Sequence, residues 1–267
     1  MNILIIGTGE IEQKLISLCL KSKLLDKVLT ASSEPLKNIP NIEYKDFEEL
    51  AQKAKALQID IILVAKKSFI QEGIVEFFKS RLLNIISVNQ KWFNLESSRI
   101  VAKQLMNHYS INNPEIIKAP VAFPVVVRTN NSTSSQIAHS MQELIEIREK
   151  LENQIVFIED CLKGDIFYQT FLWDGNSIIN FSQNSKLTEV QEDRFDLLKT
   201  KLSFMFSDEK ADFNGFFTIK LIWAKNDWHV LDFIMHIDKN ANIFNLNIDF
   251  LYLLNAVIYQ KLNEIEL

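Results

Sequence analysis

The chain has 267 residues, enough for one large domain or two ordinary ones. Hydrophobic residues make up 47% and charged residues 24%, the balance of a globular protein with a substantial core. A formal net charge of −5, with no basic cluster to offset it, argues against nucleic acid as the partner.

Two cysteines, Cys19 and Cys161, lie far apart in apolar surroundings, so no disulfide framework is expected and a reducing compartment fits. The first residues run straight into a strand, without a basic n-region or a cleavage site. No apolar run approaches the ~20 residues of a membrane span. The expectation is a cytoplasmic protein with no membrane contact.

Asn2 to Ile6 predicts a buried strand, stopped by Gly7-Thr8-Gly9. The helix that follows puts Ile11, Leu15, Leu18 and Cys19 on one face. Lys27 to Ala31 is a strand, Ser32 to Pro40 a loop, and Phe47 to Leu57 an amphipathic helix. Strand Ile59 to Ala65, helix Ile70 to Ser80 and strand Leu83 to Val88 complete the run. Strands alternating with helices at this pitch predict a parallel sheet covered on both faces. Residues 1–92 thus read as a doubly wound α/β domain.

Leu95 to Ile111 has helical spacing, with Leu95, Ile100, Val101, Leu105 and Met106 apolar. Its polar side carries Arg99, Lys103, Gln104 and Asn107, and it leads into a half with a different rhythm. Pro114, Pro120 and Pro124 mark a linker before the strand Val125 to Arg128. A polar loop spans Asn130 to Gln136, and a helix runs from Ser140 to about Leu151. Strands follow at Ile155 to Glu159, Ile166 to Trp173 and Ser177 to Phe181, with a hairpin turn at Asp174-Gly175. Helix Val190 to Phe206, paired strands Phe216 to Trp223 and Trp228 to His236, and a closing helix Ile248 to Leu262 give an α+β pattern. The four histidines (His108, His139, His229, His236) make no metal-ligand spacing.

The order of these elements is joined by EGIVEFFKSRLLNI (72–85), LESSRIVAKQLMNHYSI (95–111), PVVVRT (124–129), VFIEDCLKGD (156–165), FLWDGNSI (171–178), FNGFFTIKLIW (213–223) and HVLDF (229–233). Together they resemble the glycinamide ribonucleotide synthetase (phosphoribosylamine–glycine ligase) family of the ATP-grasp superfamily. The resemblance covers most of the chain, and the family's C-terminal domain has no counterpart in it. It implies an N-terminal α/β domain (1–92) and a shortened ATP-grasp domain (93–267), divided into a small subdomain (93–153) and a large one (154–267). It further implies ATP and Mg²⁺ as cofactors. Arg99 and Arg128 stand where the family holds the nucleotide phosphates. Glu159, Asp160 and Leu162 stand at the hinge whose backbone grips adenine, Asp165 at the ribose, and Asp232 at the metal.

Four places depart from the family pattern, and all touch chemistry. The loop after Arg128 has no glycine, where bare backbone would approach phosphate. The family's Glu and Asn metal ligands, two apart on a strand, become Asp232 and Ile234. The residues beyond read His236-Ile237-Asp238-Lys239-Asn240-Ala241, without the family's arginine and acidic pair. Glu10 and Glu12 enter the first glycine turn, suiting the helix dipole and repelling a phosphate there. Lys66 and Lys67, in a second family turn, are candidate anion contacts, and Asp232, His236 and Asp238 are a candidate mononuclear site. Three functions are compatible with this pattern. One is a divergent ligase that phosphorylates a carboxylate with Mg-ATP for attack by an amine. Another is a non-catalytic ATP-grasp body that binds a nucleotide or a protein partner. The third is a carboxylate–amine ligase with a different small-molecule substrate.

Overall fold

A computed structural model describes residues 1–119, 122–131, 134–181, 187–244 and 247–265. Pro120 of the expected linker, and Ser132 and Thr133 of the expected polar loop, lie outside the described residues.

The chain opens with β1 (Asn2–Ile6), α1 (Glu10–Cys19), β2 (Lys27–Ala31), α2 (Phe47–Ala56) and β3 (Ile61–Val64). Next come α3 (Lys67–Gln71), α4 (Ile74–Lys79) and β4 (Ile85–Ile86). The single helix expected over Ile70 to Ser80 is therefore two. Gly73 separates them with φ +80°, a left-handed conformation that ends one helix and starts the next. The four strands form a parallel sheet in the order β2-β1-β3-β4. Its strands are buried on both faces, as their unbroken apolar runs require.

Helices α5 (Gln90–Ser97) and α6 (Arg99–His108) replace the one helix expected over Leu95 to Ile111. Ser98 is extended at φ −138° and ψ 109°, and its hydroxyl accepts from the Val101 amide. A serine two residues before the apolar pair Ile100-Val101 is an N-cap signal, and here it outweighs the helical spacing around it. The break makes Arg99 the first residue of a helix rather than the middle of one.

Two antiparallel sheets follow. Strands β5 (Val125–Thr129), β6 (Ser135–Ala138) and β7 (Val156–Asp160) pair in the order β6-β5-β7, with α7 (Met141–Lys150) packed beside them. The expected loop thus gives way to a strand at Ser135. Strands β8 (Ile166–Trp173), β9 (Ile178–Phe181), β10 (Gly215–Ala224) and β11 (Asp227–Ile234) form the larger sheet in the order β11-β10-β8-β9. Helix α8 (Glu189–Asp208), opened by a Thr188–Gln191 capping box, covers this sheet. Helix α9 (Phe250–Ile258) starts after Asp249, whose carboxylate accepts from the amides of Leu251 and Tyr252.

Packing ties the parallel sheet to the large one. Leu4, Ile6, Val64, Phe78 and Trp92 share a core with Phe171, Trp173, Phe206, Phe213 and Phe217. On the other face Ile3, Ile5 and Leu63 join Phe216, Leu253 and Leu254. The small sheet keeps a separate core of Val125, Val127, Ala138, Leu144 and Ile147.

Candidate functional site

Five charged side chains meet where α6, the small sheet and β11 converge. Arg99 places Nε 2.9 Å from Glu159 Oε1 and Nη2 2.8 Å from Glu159 Oε2, a bidentate pair. Its Nη1 donates to the Leu231 carbonyl and lies 3.5 Å from Asp232 Oδ1. Lys103, one turn along α6, sets its ammonium 3.1 Å from Glu159 Oε1 and also donates to Asn113 Oδ1 and the Pro114 carbonyl. Arg128 on β5 donates from Nη1 to Asp232 Oδ1 at 2.6 Å, and its Nε lies 3.5 Å from Glu159 Oε2.

All five residues are buried, Glu159 to 1% exposure. Three cations against two carboxylates leave one positive charge. Burial pushes the Lys103 ammonium below the usual lysine range, with Glu159 pulling the other way. Burial likewise raises the Asp232 carboxyl, against the pull of Arg128 and then Arg99. Strand pairing places Lys220 directly across from Asp232, adding a further cation on that side.

Asn130, the first residue after β5, closes the same region from another direction. Its carbonyl accepts from the Arg99 amide at 2.9 Å, and its Oδ1 accepts from the Ile100 amide at 3.0 Å. Two of the amides that α6 would offer to an anion at its N-terminus are thereby used.

The hinge residues divide. Glu159 turns inward to the cluster, while Asp160 accepts from the Glu115 amide at 2.6 Å and from Lys225 at 2.9 Å. The Asp160 amide donates to the Glu115 carbonyl and the Ile158 carbonyl accepts from Ile117, so residues 115–117 cover this edge of β7. Leu162 is half-buried and Asp165 exposed, both outside the cluster.

The candidate triad of Asp232, His236 and Asp238 is not brought together. His236 Nδ1 lies 2.8 Å from Glu96 Oε2, and the Asp238 carboxylate accepts from Asn240. Among the described residues, no group of three or more His, Cys, Asp or Glu side chains converges as metal ligands.

A cleft of about 1020 Å³ opens at the carboxyl ends of β1, β2 and β3, closed on its far side by His236 to Lys239. Open parallel sheets bind ligands at this end. Glu12 is buried in its floor at 6% exposure. A Cβ built on Gly9 would lie 2.7 Å from Glu12 Oε2, and one on Gly7 3.1 Å from Oε1. The carboxylate therefore occupies the hollow that the bare glycines leave. Burial raises its pKa, against the nearby amides and Lys66. Lys66 and Lys67 are exposed on the rim.

Comparison with known proteins agrees with this architecture. The family model described as the N domain of phosphoribosylglycinamide synthetase matches residues 1–96. The phosphoribosylamine–glycine ligase of Fusobacterium nucleatum is 23% identical over 322 residues, covering all of this chain and 75% of the relative. The crystal structure of phosphoribosylamine–glycine ligase from Thermotoga maritima matches with a TM-score of 0.69 and 16% identity, over 89% of this chain and 69% of that one. The Campylobacter jejuni biotin carboxylase, solved as a β-γ-ATP complex, gives a TM-score of 0.72 and 14% identity over 96% and 70% of the two chains. The chain has the ATP-grasp fold and resembles the phosphoribosylamine–glycine ligases.

With the ATP-grasp fold in place, the cluster can be tested against Mg-ATP. A magnesium ion needs several converging oxygens. Asp232 instead accepts from Arg128, has Lys220 as its cross-strand neighbour, and is followed two residues on by Ile234. The guanidinium of Arg99 is divided between Glu159 and Leu231. This arrangement does not fit a magnesium-bound triphosphate. Lys103 and Glu96 are the participants that sequence reasoning missed. Lys103 had a signal, since it lies four residues from Arg99 on one helix face. Glu96 had none, because its partner is 140 residues away.

Proposed function

We propose that this chain is a phosphoribosylamine–glycine ligase-like ATP-grasp protein that does not carry out Mg-ATP-dependent ligation and acts as a binding protein through its remaining cleft. The buried position of Glu159 supports this reading most directly, because its carboxylate takes the place of a phosphate among Arg99, Lys103 and Arg128. A triphosphate entering there would meet two buried carboxylates. Like charges about 4 Å apart repel by roughly 4 kcal/mol at an effective dielectric of about 20. Ligation in such a site rests on positioning and neutralising phosphate charge, so cations already engaged by Glu159 and Asp232 weaken its main resource.

Glu12 supports the same reading in the floor of the cleft, where a carboxylate fills the hollow left by Gly7 and Gly9. The cleft has the size of a metabolite site. Glu12 and the His236–Glu96 pair favour a ligand that presents N–H or ammonium groups rather than phosphate.

The test is ADP release by the purified protein with Mg-ATP, glycine and phosphoribosylamine. The expected result is no turnover above the protein-free background. Steady ADP formation dependent on both substrates would overturn the proposal and establish the ligase.

A further inference from the structure

Helix α8 carries apolar side chains on two faces. Its inner face buries Phe195, Leu198, Leu202, Met205 and Phe206 against the large sheet. On its outer face Val190, Leu197 and Phe204 are 57%, 44% and 61% exposed. They are spaced seven residues apart, so they form one stripe roughly 21 Å long along the helix. The buried Tyr109 ring, with its centroid 5.9 Å from that of Phe204, supports the stripe from beneath at one end. A solvated helix face would be polar at these positions.

We infer that this stripe is a self-association surface on which a second copy of the chain packs its α8 antiparallel, with the two-fold axis at Leu197. Two features of the helix choose this occupant. The first is spacing: in an antiparallel pair centred on Leu197, Val190 meets Phe204 of the second copy and Leu197 meets its own equivalent. Large and small side chains then alternate along the seam. The second is charge. The first half of α8 carries Glu189, Glu192, Asp193 and Asp196 against Arg194, and the second half carries Lys199 and Lys201 against Asp208. Antiparallel packing lays the acidic half on the basic half, and places Asp193 opposite Lys201 of the second copy. Parallel packing would set like on like and oppose the helix dipoles less well. Lys201 donates to the Ser110 carbonyl in its own chain and keeps two hydrogens for this contact. Arg194 lies toward Asp227 at 4.0 Å, beside the seam. Helix α8 contributes no side chain to the ion-pair cluster, so the inference stands whether or not the functional proposal does.

Sedimentation of the full chain over a concentration series tests it. The expected mass rises from 31.0 kDa toward twice that value. Leu197→Glu, which changes only an exposed position, should weaken association roughly tenfold or more, with an unchanged circular dichroism spectrum. Asp193→Lys should weaken it too, and Asp193→Lys combined with Lys201→Asp should restore it. A monomer at every concentration, a dimer indifferent to Leu197→Glu, or a double swap that fails to restore association would each overturn the inference.

Discussion

At the scale of single residues, the arginines that the family resemblance assigns to phosphate are paired within the chain. Arg99 and Arg128 remain cationic, yet each is bound to a carboxylate of its own chain. Breaking a buried pair by removing one partner costs about 3–5 kcal/mol, because the other charge is left uncompensated. Glu159→Ala would leave three buried cations with Asp232 as their one carboxylate and Lys103 with none, so urea denaturation should show a loss in that range. A loss under about 1 kcal/mol would mean that the cluster is hydrated and open. Glu12 gives a second prediction. Burial raises its folded-state pKa above the unfolded value, so its contribution to stability is fullest at low pH and falls as pH rises through the folded pKa. Glu12→Gln should therefore melt higher, relative to the parent chain, at pH 8 than at pH 4. A melting difference that does not change with pH would contradict the burial argument.

Among elements, legibility followed the range of the signal. Strands β1, β2 and β8 were bounded correctly from apolar runs ending at glycines or turns, which are local cues. The two split helices were not, because spacing continued across Ser98 and Gly73 while the backbone did not. For the site, the family resemblance assigns Arg99 and Arg128 to the phosphates, Glu159 to the adenine hinge and Asp232 to the metal, whereas in the structure their side chains meet in one ion-pair cluster. That they pair with one another is not legible in the sequence, since it depends on side-chain geometry between residues far apart in the chain, up to 133 positions for Arg99 and Asp232. Gly215 shows the same limit. It has an ordinary backbone, yet a Cβ there would lie 2.7 Å from the Ser87 carbonyl carbon and 2.9 Å from the Val88 amide nitrogen. That contact is where β10 passes the end of the parallel sheet, at the Ser87–Asn214 bridge. Gly215→Ala should cost about 1–3 kcal/mol by chemical denaturation. An unchanged midpoint would show that the two sheets are not held in close register there.

The whole molecule combines an apolar core shared by two sheets with a buried cluster of five charged side chains. Trp92, Trp173, Phe206, Phe213 and Phe217 pack in edge and tilted contacts that join the parallel and large sheets. The same core includes Ala102 and Met106 of α6 and Val230 and Phe233 of β11, so it fixes the two elements that carry Arg99, Lys103 and Asp232. The departures from the family pattern fall at Asn130, Asp232, Ile234 and Glu12, on groups that the resemblance would set beside phosphate and metal, and Glu159 engages the cations of the cluster. The most direct measurement is a calorimetric titration of the full chain with ATP, with and without Mg²⁺. The account predicts no binding heat up to millimolar ATP in either condition. Magnesium-dependent binding that is lost in Arg99→Ala and Arg128→Ala would contradict it, showing that nucleotide phosphate displaces Glu159 and Asp232 from the two arginines.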